Sequence, residues 1–176
     1  KNNFIEEGYI NINKGIFNFS LGRFYQDITS ESKSLSSGAL SISNNANPIP
    51  RIDFGVKEFS SISFSKFNFQ LKGGFSHGWF NKGEYTKAPF LHQKNIYLKK
   101  KIYPDQSLML GIVHIAMWGG ATRIHGNQPQ KASDFLRIFF LQPASSKGIK
   151  QERVNTLGNH LGIWDLAYEK EINHKK

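Results

Sequence analysis

Three histidines, His77, His92 and His114, lie on or beside different strand-like segments, and imidazoles converging from such segments could in principle hold zinc. The spacing does not point to a metal, because no two of them form the close i, i+4 pair of a helical zinc motif. They read as hydrogen-bonding structural histidines, and neither metal nor other cofactor is expected. Glu84 with Asp53 or Asp165 would supply the two acids of glycosidic cleavage, but that chemistry needs a set carboxylate separation that nothing in the sequence fixes. Neither acid sits in an acid/base motif and no GxSxG elbow occurs, so the chain is read as a non-enzyme. Gly119-Gly120 lacks the spacing and the strand-to-helix context of a phosphate cradle, which leaves turn geometry.

Recognition is left as the chemistry to explain. Lysine and arginine number 23 against 13 acids, a balance of +10 that favours nucleic acid, lipid headgroups or acidic polysaccharide. The polar stretches 119–131 and 142–158 are long for a nucleic-acid-binding OB barrel and no RNP-like motif is present, so no nucleic-acid partner is expected. With no cysteine there is neither a disulfide framework nor a thiolate metal site.

The elements that must carry these residues are strands. Phe67-Asn68-Phe69-Gln70-Leu71-Lys72 alternates apolar and polar side chains, as do Ile52, Phe54 and Val56 against Arg51, Asp53 and Lys57, and Phe17, Phe19 and Leu21 against Asn18, Ser20 and Gly22. Ile10 and Ile12 lead through a turn at Asn13-Lys14-Gly15 into a returning strand at 16–24. A Ser- and Asn-rich connection with Pro48 and Pro50 follows, read as loop or short helix. Further strands are expected at 51–58, 61–80, 94–102 and 106–118, with Pro89 interrupting between the second and third of these, and a last one at 163–169. Ser133 is placed to N-cap a short helix near 133–141. No apolar run approaches the length of about 18 residues that a transmembrane helix needs. The alternation suits either a soluble antiparallel sheet or an outer-membrane barrel, whose lipid contact uses every second residue. The chain starts at Lys1 with no apolar signal segment, as a processed product or an excerpt would.

Several blocks in order make the choice between them. Gly22-Arg23, Leu35-Ser36-Ser37-Gly38, Asn45 to Pro50, Leu71-Lys72-Gly73, Ser76-His77-Gly78 and Leu91-His92-Gln93-Lys94 are followed by His114-Ile115-Ala116-Met117-Trp118-Gly119-Gly120. Asp134-Phe135-Leu136-Arg137 and Asn155 to Gly162 complete the set. Together they resemble the Wzi family of capsule-assembly outer-membrane proteins, particularly the versions found in Bacteroidetes. Met117 is a departure, standing where a glutamine-like residue is expected. The resemblance implies that residues 1–176 are an internal portion of one outer-membrane barrel domain that holds capsular or related polysaccharide at the cell surface, as a lectin-like anchor. About seven strands are counted, and single-chain bacterial barrels close with an even number of at least about eight, so this portion alone should not close. Phe17, Phe19, Phe54, Phe67, Phe69 and Leu71 would face lipid and lipopolysaccharide. Arg51, Asp53, Lys57, Asn68, Gln70, Lys72 and Lys99 would face the lumen. Arg51, Lys57, Lys72, His77, Trp79, His92, Trp118, Arg123 and His160 are the glycan-binding candidates, with acidic polysaccharide the expected partner; Trp79, Trp118 and Trp164 also suit an interfacial belt. The alternative is a porin-like channel whose basic lumen selects anions.

Overall fold

A computed structural model describes residues 5–26, 40–43, 46–62, 68–145 and 148–172. Phe67, much of the Ser-rich connection and the Leu35 to Gly38 block lie outside those residues. Seven strands form one antiparallel sheet in which all but the last follow chain order. They are β1 (Gly8–Lys14), β2 (Phe17–Arg23), β3 (Pro50–Ser61), β4 (Phe69–Trp79), β5 (Phe90–Tyr103) and β6 (Gln106–Trp118), with a final strand, Asn159–Lys170, beside β6. Between β6 and that strand come a small hairpin, β7 (Ala121–Thr122) with β8 (Gly126–Asn127), and two helices, α1 (Ala132–Phe139) and α2 (Lys150–Val154), which makes the final strand β9. The sheet does not close on itself among the described residues.

The first hairpin turns through Gly15 and Ile16, with Lys14 opposite Phe17, and Gly15 takes the positive φ of 59° that a two-residue turn asks of its first residue. Five expectations are corrected. β5 begins at Phe90, directly after Pro89, so Leu91, His92 and Gln93 belong to the strand and not to a break; β9 likewise begins at Asn159 and not Ile163. Ser133 lies inside α1, whose N-cap is Lys131; Asp134 reaches back to accept the Lys131 N–H at 2.8 Å. α2 forms within the stretch read as loop. Asn68 precedes β4 with φ 54° and holds no strand parity.

The register sorts side chains into two faces. On one, Ile96, Ile112 and Trp164 form a cross-strand row, followed by Leu98, Leu110 and Leu166 and then Leu108 with Tyr168. Phe17 stacks on Phe54 on the same face, with ring centroids 5.8 Å apart. These residues are exposed, Trp164 at 74% and Leu166 at 80%. The other face carries Asn11, Ser20, Asp53, Ser76 and Gln93 in one continuous polar row across five strands. Towards β6 and β9 it turns apolar, where Tyr97, Met109 and Val113 form a buried cluster with Ile42 and Phe59 against it. Phe59 reaches that cluster through a bulge in β3, in which Lys57, Glu58 and Phe59 together stand opposite Lys72.

A second core lies at one end of the apolar face. The amphipathic α1 lays Phe135 and Phe139 over Phe75 and His92, while Ile138 and Leu157 pack with Ala116 and Trp118. Lys94 Nζ donates to the Phe139 carbonyl and so ties the last turn of the helix to β5.

Candidate functional site

The sheet register separates the nine glycan-binding candidates. Arg51, Lys57 and Lys72 lie on the polar face. His77, Trp79, His92, Trp118 and His160 lie on the opposite one, while Arg123 sits in the exposed turn between β7 and β8. They do not form one site.

On the polar face the cations are bound up internally. Arg51 donates to Gln26 Oε1, Gln26 Nε2 donates to Asp53 Oδ2 at 2.6 Å, and Lys57 pairs with Asp53 Oδ1. Asp53 is 1% exposed, with its two oxygens satisfied by these donors, and the buried Arg51 guanidinium also lies 5.4 Å from the Phe24 ring centroid. Beside this network β1, β2 and the segment from Phe24 to Gln26 enclose a cleft of about 370 Å³. Lys57, Glu58 and Lys72 border it from the β3–β4 side. Tyr25 stands at its edge, its hydroxyl donating to Glu6 and its backbone N–H to Glu7 Oε1 at 3.0 Å; the bond to Glu6, which needs the phenol proton, pushes the Tyr25 pKa up.

His77 and His92 lie under α1, with His114 and then His160 beside them. His77 packs edge-on against Trp79 and Phe135, and His92, 0% exposed, is ringed by Phe75, Phe135 and Phe139 with no hydrogen-bond partner on either ring nitrogen among the described residues. His160 Nε2 donates to the Leu157 carbonyl at 2.6 Å, so in the neutral ring Nδ1 accepts from His114 Nε2, 2.7 Å away. Rings stacked in this way tie β6 to β9 and to the loop before it. No group of three or more potential ligands is placed to hold a metal ion among the described residues. Nearby in α2, Glu152 accepts the Gly158 N–H at 3.2 Å, and burial pushes its carboxyl pKa up.

The carboxylates weighed for glycosidic cleavage are dispersed. Asp53 and Asp165 are on β3 and β9, four strand positions apart in the sheet, and Glu84 lies in an exposed turn. Asp165 is occupied as the acceptor of the Tyr97 hydroxyl at 2.8 Å. Met117 Sδ, at the departure noted in the sequence, accepts the Tyr85 hydroxyl at 3.6 Å, a weak bond where an amide would make a stronger one.

A family model described as capsule assembly protein Wzi matches residues 1–174. The chain belongs to that family. No curated protein and no solved structure matches it. Wzi membership attaches the sheet to capsule assembly. In the polar cleft beside β1, Lys57 and Lys72 are among the sequence candidates, whereas its amides and tyrosines are not. Beside its charged groups the cleft is lined by the amides of Asn11, Asn18 and Gln26, the Ser20 hydroxyl, and Tyr9 and Tyr25. Their signal in the sequence is alternation: Tyr9, Asn11 and Asn13 with Ile10 and Ile12, and Asn18 and Ser20 with Phe17, Phe19 and Leu21.

Proposed function

We propose that this Wzi chain is part of an outer-membrane β-barrel that holds capsular or related polysaccharide at the cell surface, as a lectin-like anchor that performs no catalysis. The observation carrying the reading is the inverted sheet: its broad apolar face is exposed over three cross-strand rows, while buried polar groups line the other. A monomeric soluble protein rarely leaves so continuous an apolar surface in water, whereas a barrel wall requires it. Retention would be multivalent, with many weak polar and aromatic contacts along a repeating polymer summing to useful binding. An acidic polysaccharide accords with the charge of +10. A basic anion-selective channel is the less favoured reading, because Arg51 and Lys57 are committed to Gln26 and Asp53.

Placement in the membrane has a direct test, since the chain has no cysteine of its own. Cysteines introduced singly at Asn11 and Asn13 should react with a water-soluble thiol reagent in intact membranes, and those at Leu110 and Leu166 should not. Equal labelling of all four would remove the barrel wall. For function, cells lacking the protein should shed surface polysaccharide into the medium while making normal amounts of it. Unchanged cell-bound polymer would sink the anchoring role.

A further inference from the structure

The hairpin β1–β2 carries a closed ring of hydrogen bonds on its polar face. Asn11 Nδ2 donates to Ser20 Oγ at 2.8 Å, Ser20 Oγ to Asn18 Oδ1 at 3.0 Å, Asn18 Nδ2 to Asn13 Oδ1 at 2.6 Å, and Asn13 Nδ2 to Asn11 Oδ1 at 2.8 Å. The register explains it, because Asn11 lies opposite Ser20 and Asn13 opposite Asn18. Each side chain in the ring supports its neighbours, so the amides are held in fixed orientations before any ligand arrives. An asparagine has two N–H donors and a two-lone-pair oxygen, and the ring uses one donor and one acceptor site of each. What is left, most openly on the exposed Asn11, is a rigid set of donors and acceptors, the complement of sugar hydroxyls.

Beside this set stand aromatic side chains that are not buried. Tyr9 is 55% exposed and Tyr25 47% exposed, and both line the cleft. Tyr9 is backed by Phe24, with ring centroids 5.3 Å apart, and Tyr25 is anchored at both ends by Glu6 and Glu7. Such rings present flat faces with little freedom left to lose on binding. The charged groups lining the cleft are two acids, Glu7 and Glu58, and two bases, Lys57 and Lys72, so the cleft has no excess of positive charge.

We infer that the β1–β2 cleft is a saccharide subsite for uncharged sugar units of the polymer, read by Asn11, Asn18 and Ser20, which Asn13 holds in place by closing the ring, and stacked on Tyr9 and Tyr25. The inference rests on the anchoring role proposed above and adds where, and through which chemistry, the polymer is gripped.

The test uses the full-length protein in detergent and surface polysaccharide purified from the producing cells, immobilised in its native form and after chemical reduction of its carboxylates to alcohols. Tyr9→Ala/Tyr25→Ala should weaken binding to both forms at least tenfold, and Tyr9→Phe/Tyr25→Phe, which keeps the rings, should stay within about threefold of the parent. The part of the binding lost in the alanine variant should persist in high salt, because stacking and neutral hydrogen bonds are not screened as ion pairs are. Asn11→Asp/Asn18→Asp, which preserves shape but replaces amide donors with acceptors, should also lose at least tenfold. If the parent binds the polymer and the alanine variant, folded to the same heat-modifiable form, binds it as tightly, the subsite is wrong and the anchoring role survives. Binding by the parent that vanishes on carboxyl reduction would also overturn the subsite, in favour of recognition by charge. If the parent binds neither form, the anchoring role and the subsite fall together.

Discussion

Gly111→Ala is expected to lower the stability of the folded protein by about 2–4 kcal/mol, a large effect for one methyl group. Gly111 lies directly opposite Tyr97 on the neighbouring strand, and the tyrosine ring folds down over it. A Cβ at Gly111 would overlap Tyr97 Cδ1 and Cε1 and come within 2.9 Å of Cζ. The ring has no room to yield, being fully buried among Met109 and Val113 with its hydroxyl bonded to Asp165. Either the ring leaves its pocket and loses that bond, or β5 and β6 separate locally. Urea unfolding of the detergent-solubilised protein should show an earlier midpoint for Gly111→Ala. A second change, Tyr97→Val, should return part of the loss by vacating the space. An unaltered midpoint would mean that the ring does not pack on Gly111.

Phe135→Ala should release α1 from the sheet while leaving the strands paired. Phe135 touches Phe75, His77, His92 and Trp118, which makes it the principal anchor of the helix. Truncating such a residue costs about 3–5 kcal/mol. An eight-residue helix has too little intrinsic stability to survive undocked, so loss of contact is loss of the helix. The backbone hydrogen bonds of the sheet do not pass through α1, and the damage should stay local. Amide exchange at Ala132–Phe139 and proteolytic cutting between 128 and 158 should both accelerate, with strand protection unchanged. Equal protection of the helix in variant and parent would show that Ile138 and Leu157 alone hold it.

How much of this was legible in the sequence depends on which faces are covered. Phe17, Phe19 and Leu21 against Asn18 and Ser20, and Trp164 and Leu166 against Asp165, alternate because one side of the sheet is apolar and the other polar, and there strand and parity could be read directly. The signal fails from Leu91 to Lys94 and from Asn159 to Gly162, where α1 and its flanking loops add contacts on the apolar side. Histidines there, satisfied within that cover or enclosed by it, disrupt the period of two, so strand residues looked like connection. The binding candidates are cations, histidines and tryptophans chosen by type, which sequence alone cannot assign to a common site, and the register divides them between faces. The amide ring could not be foreseen from composition, because it depends on Asn11 meeting Ser20 across a turn whose register is set only when Gly15 and Ile16 are fixed as its two residues.

The position of α1 bears on how the protein would ride in a bilayer. It caps the apolar rows at one end only, and its uncovered side, continuing past its last residue, shows Leu136, Phe140 and Leu141 to the surroundings, with Lys131 and Arg137 close by. Under the proposed membrane placement this is a waterline: greasy side chains at the level where acyl tails meet headgroups, with cations within reach of phosphates. The wall then has two different rims, and the one bearing the helix resists being drawn deeper. If a tethered polymer pulled on such a wall, this collar would oppose it in one direction and the hydrocarbon fit of the strands in the other, so under that placement the same forty-residue excursion between β6 and β9 that builds a small core would also set how deep the wall sits.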